Sequence, residues 1–338
     1  MTSVVLAANN GDVGGGEVML RATAGLLADL GVHVEVVGPS VPGGVLDLVE
    51  ADGHPVHRLA ADRRRYAGEL RAWHAGRPEV LWCHGLVPAL ATAGRSRRVV
   101  HLHQLPTGSA QRAALVTARA RSSLVLVPSD WMAARVPAAR VLPNWTADPG
   151  FARRTPGRQR RLGYLGRHSV DKGLVVLARA LARPGSDADV RLVLAGGPRF
   201  VDDAAARAVA DALAPLGDRV ERVGWVEPAA LLRDVDGLVV PSVAPESFGL
   251  AAAEAMAAGV PCLVSDAGAL PEVVGGGHPW VVPAGDVEAL AAAVGGWAAA
   301  PADDLDALAR TQRVRWERHF SPGAARARVA DVLAALQA

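Results

Sequence analysis

The stretch that most constrains this chain covers residues 241–266, PSVAPESFGLAAAEAMAAGVPCLVSD. It reads as strand end, loop, short helix, turn and strand. Leu238, Val239 and Val240 are an apolar run of strand type, closed by Pro241. Residues 251–258 are nearly all strong helix formers. Gly259 sits where a helix finishes in a left-handed residue, and Pro261 forbids continuation. Cys262, Leu263 and Val264 begin the next strand.

This arrangement has a chemical consequence. The backbone N–H groups of Phe248, Gly249 and Leu250 fall at a helix start, unpaired and at the positive end of its dipole, which makes a ready anion site. Gly249 lets a ligand approach the backbone closely. Glu246 lies in the loop just before, and Glu254 lies inside the helix. A carboxylate among alanines is either a solvated face residue or an acceptor aimed at a polyol. Two glutamates bracketing a phosphate-binding helix start favour a bound sugar nucleotide, one carboxylate for each sugar.

The string Pro-Glu-Ser-Phe-Gly-Leu-x3-Glu-Ala-Met-Ala-x-Gly-Val-Pro, with its Glu246-x7-Glu254 spacing, resembles the signature of the retaining glycosyltransferases of family 4. That resemblance implies the GT-B fold: two Rossmann-like, doubly wound parallel-sheet domains facing each other across a cleft. The whole string is specific; the bare spacing is weak.

With 338 residues, half of them hydrophobic, the chain has room for two domains with sizeable cores. A formal net charge of +2 does not suggest a nucleic-acid binder. The arginine clusters at 63–65, 97–98 and 160–161 read as solvated faces, with weak peripheral contact to anionic lipid as the minority reading. Cys83 and Cys262 sit in apolar strand-like runs and read as buried thiols, neither a disulfide nor a metal pair. The ten histidines include no pair at zinc-motif spacing, so no metal is expected. The N-terminus lacks a basic leader and no apolar run approaches the ~18 residues of a span, so the expectation is a soluble, cytoplasmic protein.

Residues 4–8 read as a buried parallel strand and 18–30 as a helix. Between them Gly14, Gly15 and Gly16 make a loop able to lie flat against a phosphate or sugar; the plainer reading is a flexible turn. Gly15, Gly16 and Glu17 resemble the family's Gly-Gly-x-Glu-type loop, which faces the donor. Strands at 32–37, 80–83, 99–103, 124–127 and 141–142 alternate with helices at 46–51, 63–74, 88–93, 109–121 and 129–135, which implies a doubly wound parallel sheet. Ligands in such sheets lie beyond the carboxyl ends of the strands. His84, His101, His103 and Asn144 fall near such ends. His84 reads as a loop residue one position past its strand. His101 and His103 alternate on theirs and point to one side. The resemblance favours His103, since the family often has a histidine there near the donor sugar.

Residues 147–161, with Pro149, Gly150, Pro156, Gly157 and several arginines, carry a linker signal. The expected domains are therefore residues 1–150, which bind the acceptor, and 151–320, which bind the nucleotide sugar. A terminal helix, 321–338, returns toward the first. The second domain opens with a strand at 162–165, then Gly-Arg-His-Ser-Val-Asp-Lys-Gly and a helix from Leu174. Arg167 and Lys172 in a strand-to-helix loop suit a diphosphate, against the default of surface charge. They match the family's Gly-Arg-x4-Lys-Gly, whose cations neutralise the departing nucleoside diphosphate. His168 receives no role. By resemblance the loop after Val223 borders the nucleotide base, and Trp225 either stacks on it or packs in a core.

The resemblance covers nearly the whole chain. It implies metal-independent transfer of a sugar from a UDP- or GDP-sugar to an acceptor hydroxyl, with retention and no further cofactor. A short chain without a Lys-rich amphipathic helix points to a small polar acceptor. A sugar-nucleotide 2-epimerase of the same architecture, a noncatalytic binding module and a transferase for a lipid acceptor are the alternatives. Base, sugar, acceptor and oligomeric state stay open.

Overall fold

The apolar runs become the strands of two separate parallel sheets. A computed structural model describes residues 3–59, 62–151, 159–183, 190–199 and 201–337. The chain divides into two compact units, one of Met1–Trp145 with Pro322–Ala338 and one of Thr146–Ser321. Of the expected linker, residues 152–158 lie outside the described residues.

In the first unit the elements run β1 Ser3–Ala8, α1 Gly15–Asp29, β2 His33–Pro39, α2 Gly44–Ala51, β3 Val56–Leu59, α3 Arg63–Trp73, β4 Val80–His84, α4 Leu86–Ala91, β5 Arg98–His101, α5 Ser109–Ala118, β6 Leu124–Val127, α6 Asp130–Ala133 and β7 Arg140–Val141. Their order in the sheet is β3-β2-β1-β4-β5-β6-β7, all parallel. The order reverses between β1 and β4, which is where doubly wound sheets bind ligands. Strands such as β4, with every residue buried, need helices on both faces, and this accounts for their continuous apolar character. Ser129 caps α6 by accepting from Met132 N at 3.1 Å.

The second unit runs β8 Arg160–Arg167, α7 Leu174–Leu181, β9 Val190–Gly197, α8 Asp203–Leu213, β10 Val220–Gly224, α9 Pro228–Asp234, β11 Gly237–Val240, α10 Leu250–Ala258, β12 Cys262–Ser265, α11 Leu270–Val274, β13 Val281–Val282, α12 Val287–Ala299 and α13 Ala302–His319. Its parallel sheet has the order β10-β9-β8-β11-β12-β13, with the reversal between β8 and β11. The closing helix, α14 Pro322–Gln337, packs on α1 of the first unit, where Arg326 donates to Asp29 O at 3.0 Å. Two Rossmann-like sheets of this topology are the GT-B fold. Among the described residues no helix is long and apolar enough to cross a membrane.

Several expectations need correction. Strand β5 ends at His101, so His103 lies beyond it, and His84 is the last residue of β4 rather than a loop residue. The short strands β3 and β13 were not expected from the sequence. Helix α1 begins at Gly15, so two of the three glycines form its first turn and the loop is Asn9 to Gly14. Arg98 is not part of a solvated face: it is fully buried in β5. Its guanidinium donates to the carbonyls of Ala89 and Ala118, near the ends of α4 and α5, and to those of Arg95 and Ala120 in the turns beyond them. Arg161 also lies largely under cover, paired with Glu221 and Asp234. Both cysteines are free and buried, as expected.

Candidate active site

The two loops that follow β8 and β11, neighbours at the reversal of the second sheet, are built as one object. Val243 N and Ala244 N of the second loop donate to the carbonyl of Asp171 in the first, at 2.9 and 3.0 Å. Gly173 permits the approach: it has φ +79°, and a Cβ there would lie 1.8 Å from Pro241 O. The glycine is thus required twice, by its left-handed backbone and by the absent side chain.

Side chains complete the union. Lys172 Nζ meets Glu246 Oε1 at 2.6 Å, and Ser242 Oγ donates to the same oxygen at 2.5 Å. Ser265 Oγ holds the Ser242 carbonyl at 2.6 Å. Glu246 is fixed through its backbone as well. Ala269 N donates to its carbonyl at 2.9 Å, and Gly268, at φ +68°, lets the turn after β12 press against it. Arg167 Nη2 meets Asp171 Oδ2 at 2.9 Å. Burial would raise the Asp171 carboxyl, but its surroundings, the charges of Arg167 and Lys172 among them, hold it below the usual range. Three of the predicted residues, Arg167, Lys172 and Glu246, therefore belong to one network.

The start of α10, expected to meet an anion, lies immediately downstream. Gly249, at φ +112°, caps α10, and Ala252 N and Ala253 N donate to its carbonyl at 3.1 and 3.2 Å. The amides of Leu250 and Ala251 precede those bonds and have no intrahelical acceptor. Phe248 lies one residue ahead of the cap, and its ring stands edge-on to Phe320 in the core, centroids 5.2 Å apart. At Gly249 any side chain would strike Leu270. Glu254, on α10, has its carboxyl pushed up to about 8 by burial and by the charge of Glu227. The shift favours the protonated acid, which can donate as well as accept. Trp225 follows β10 and is 58% exposed, which excludes the core reading. Arg199 lies over its ring, 5.1 Å from the centroid.

Sequence reasoning missed Asp171, Ser242 and Gly268, which have no separate signal in one chain. One signal was available and unused. Lys172 is the only lysine in the sequence; every other cationic side chain is arginine. A chain that uses arginine everywhere else has a compact point charge at this one loop.

The first unit has a second cluster at its own reversal point. Glu17 is the third residue of α1 and nearly buried. Burial pushes its carboxyl up to about 7, opposed by the N–H groups of Glu17, Gly14 and Asn10 and reinforced by Asp12. It turns back on its own loop as a capping acid does. A Cβ on Gly16 would touch the His103 ring at 3.4 Å. His84 and His101 are register partners in β4 and β5, and His84 Nδ1 lies 3.0 Å from His103 Nε2. Asn144, also buried, has a side-chain oxygen without a partner.

Comparison with known proteins follows this division. Residues 159–299 match the family model described as glycosyl transferases group 1. D-inositol 3-phosphate glycosyltransferase of Mycobacterium marinum is 36% identical over 146 residues, 40% of this chain and 29% of the relative. Phosphatidyl-myo-inositol mannosyltransferase of Mycobacterium leprae is 36% identical over 169 residues, 48% of this chain and 40% of the relative. The chain thus matches well under half the length of these curated relatives. Among solved structures, Anabaena HepE in complex with UDP and glucose superposes with a TM-score of 0.86 at 20% identity, covering 99% of this chain and 100% of that one. Sucrose-phosphate synthase from Thermosynechococcus elongatus gives 0.83 at 20% identity, covering 99% of each chain. The chain has the GT-B fold, and its second unit carries the stretch that matches the group 1 glycosyl transferases.

Proposed function

We propose that this protein is a retaining, metal-independent glycosyltransferase of family 4, moving a sugar from a UDP- or GDP-sugar to the hydroxyl of a small polar acceptor. The observation that carries the reading is the Lys172–Glu246–Ser242 network beside the free amides at the start of α10. A lysine and a helix start converge where a diphosphate can dock, and a carboxylate lies in reach of the attached sugar's hydroxyls. Arg167, Lys172 and the α10 amides stabilise negative charge as it grows on the leaving diphosphate. Glu254 meets the ribose and Trp225 stacks on the base. In the first unit His103 contacts the transferred sugar or the acceptor.

The chemistry is a same-face exchange. The bond from the anomeric carbon to the phosphate oxygen breaks, leaving oxocarbenium-like charge on the sugar. The acceptor oxygen bonds to that carbon on the same face, and its proton passes to the departing phosphate. The names of the relatives, which act on an inositol phosphate and on phosphatidyl-myo-inositol, make a cyclitol the first acceptor to try and keep a lipid-linked cyclitol as the second reading.

The test is a panel of UDP- and GDP-sugars with myo-inositol, inositol phosphate and phosphatidylinositol vesicles, product anomers being assigned by NMR. An α-glycoside from an α-linked donor supports the reading. An inverted product, or epimerised donor with no acceptor present, overturns it.

A further inference from the structure

We propose a second anion site in the first unit: a small cavity between the turns that lead into β6 and β7, where the guanidiniums of Arg119 and Arg140 and the hydroxyl of Ser123 take a phosphate group. It is separate from the proposed donor site, and neither depends on the other.

The cavity arises at the edge of the sheet. Helix α5 ends at Ala118, and the chain turns through Arg121, at φ +58°, into β6. A second turn, through Ala138 at φ +55°, leads into β7, a strand of two residues at the sheet's edge. Together they leave a cavity of about 230 Å³, with Arg119, Ser122, Ser123 and Arg140 on its walls beside Leu124 and Val125. Both turns precede their strands, so the cavity lies at the opposite end of the parallel sheet from Glu17 and His103. Pockets for drug-sized ligands begin at roughly 300 Å³, so this one suits a phosphate or a small phosphate ester rather than a nucleotide.

Positive charge is concentrated here. Residues 80–147 hold eight arginines and one acid, Asp130, in a chain whose formal net charge is +2. Asp130 opens α6, beyond the far end of β6. Among the described residues the Arg119 guanidinium and the Ser123 hydroxyl have no hydrogen bond or ion pair, and Arg140 has only Asp331, 4.0 Å away.

Exposed arginines are ordinarily just solvated, and the last carbonyls of a helix ordinarily repel an anion. At this helix end those carbonyls are already bonded. Arg98 donates to Ala118 O and Ala120 O, and Ser122 donates to Arg119 O through both N and Oγ. Arg98 also brings a full positive charge to a helix end worth about −0.5. Two further guanidiniums around one cavity then suit a tetrahedral oxyanion, whose oxygens accept paired N–H bonds. The same charge excludes a cation.

The surface beside the cavity bears on where the phosphate comes from. Arg112, Val116 and Arg119 fall at helical spacing along the outer face of α5, and Val116 is 74% exposed. An apolar side chain between arginines makes a lipid headgroup a source to test beside a soluble phosphate ester.

NMR of the arginine Nε–Hε groups in the full chain, labelled with 15N-arginine and assigned with Arg119→Met and Arg140→Met, follows both side chains directly. Neither arginine is tied into the fold, so both variants should fold. Inorganic phosphate and glycerol 3-phosphate are the probes, at fixed ionic strength. Both resonances should shift saturably with one midpoint. Arg119→Met should raise the midpoint read at Arg140 about tenfold or more, and Arg140→Met that read at Arg119. Arg121→Met, which removes a neighbouring charge outside the lining, and Lys172→Ala, in the other unit, should leave it unchanged. Sedimentation with phosphatidylcholine vesicles that contain phosphatidic acid, lost in Arg119→Met, would identify a lipid headgroup as the source; saturable shifts without sedimentation would identify a soluble phosphate. Shifts that grow linearly with phosphate, a midpoint indifferent to Arg119→Met, or an equal loss in Arg121→Met would mean diffuse surface charge only and overturn the proposal.

Discussion

Lys172 Nζ lies 2.6 Å from Glu246 Oε1, and the two residues come from loops after adjacent strands at the reversal of the second sheet. Without ligand the lysine is neutralised by the glutamate. In the proposed reaction a bound nucleotide sugar would put phosphate against the same cation and sugar hydroxyls against the glutamate. Lys172→Ala should therefore lower turnover about 100-fold or more, the usual cost of one preorganised charge stabiliser. Lys172→Arg should not restore it, because the planar guanidinium cannot occupy the ammonium's place against Glu246 and Ser242. Steady-state kinetics at saturating donor check both; full activity in the arginine variant would contradict the account.

Glu254 supplies a pH signature. Its carboxyl ionises near 4.5 in the unfolded chain and at about 8 when folded. Below 4.5 both states hold the proton. Between 4.5 and about 8 the folded state keeps it while the unfolded state has lost it, so wild-type stability falls as pH rises through that window. Above about 8 the penalty is constant. Glu254→Gln removes the titration, so its Tm should gain on wild type from about pH 5 to about pH 9. Scanning calorimetry across that range tests it, and parallel curves would mean the carboxyl is solvated.

Arg98 is a stability residue without catalytic duties. Its removal takes the guanidinium from the buried carbonyls of Ala89 and Ala118 and from the part-buried ones of Arg95 and Ala120. Arg98→Met should cost on the order of 3 kcal/mol or more, visible as a lower urea midpoint. A midpoint within error of wild type would show that water reaches those carbonyls.

Gly173 ties the loops after β8 and β11 together. A methyl there would fall 1.8 Å from Pro241 O, so Gly173→Ala must push the loops apart. Nucleoside diphosphate affinity should fall at least tenfold while the far-UV circular dichroism stays native. Gly276→Ala, where a Cβ would meet open space, is the matched control.

Much of this was legible in one sequence, for physical reasons. Long apolar runs bounded by glycine and proline give strands, and α10 declares itself by its alanines and by Gly259. The strands β3 and β13, four and two residues long, fall below what periodicity can resolve. Gly15 and Gly16 looked like loop because glycine is a poor helix former, yet the first helical turn tolerates it. Arg98 looked solvated because its partners are carbonyls, which every residue has and no pattern marks. The histidine cluster depends on the register of β4 with β5, a tertiary fact that spacing within one strand cannot convey. The bond from Ser242 to Glu246 is hidden likewise, since serine is common in loops.

The central claim is that a nucleoside diphosphate sits on Lys172, and the chain offers a direct test because it has no other lysine. Amine acetylation followed by mass spectrometry, with the N-terminal amine as internal reference, reports this one side chain. UDP or GDP at saturating concentration should slow acetylation of Lys172 about tenfold or more and leave the N-terminus unchanged, the protection expected of a ligand occupying its site. Equal acetylation of Lys172 with and without either nucleotide would contradict the account.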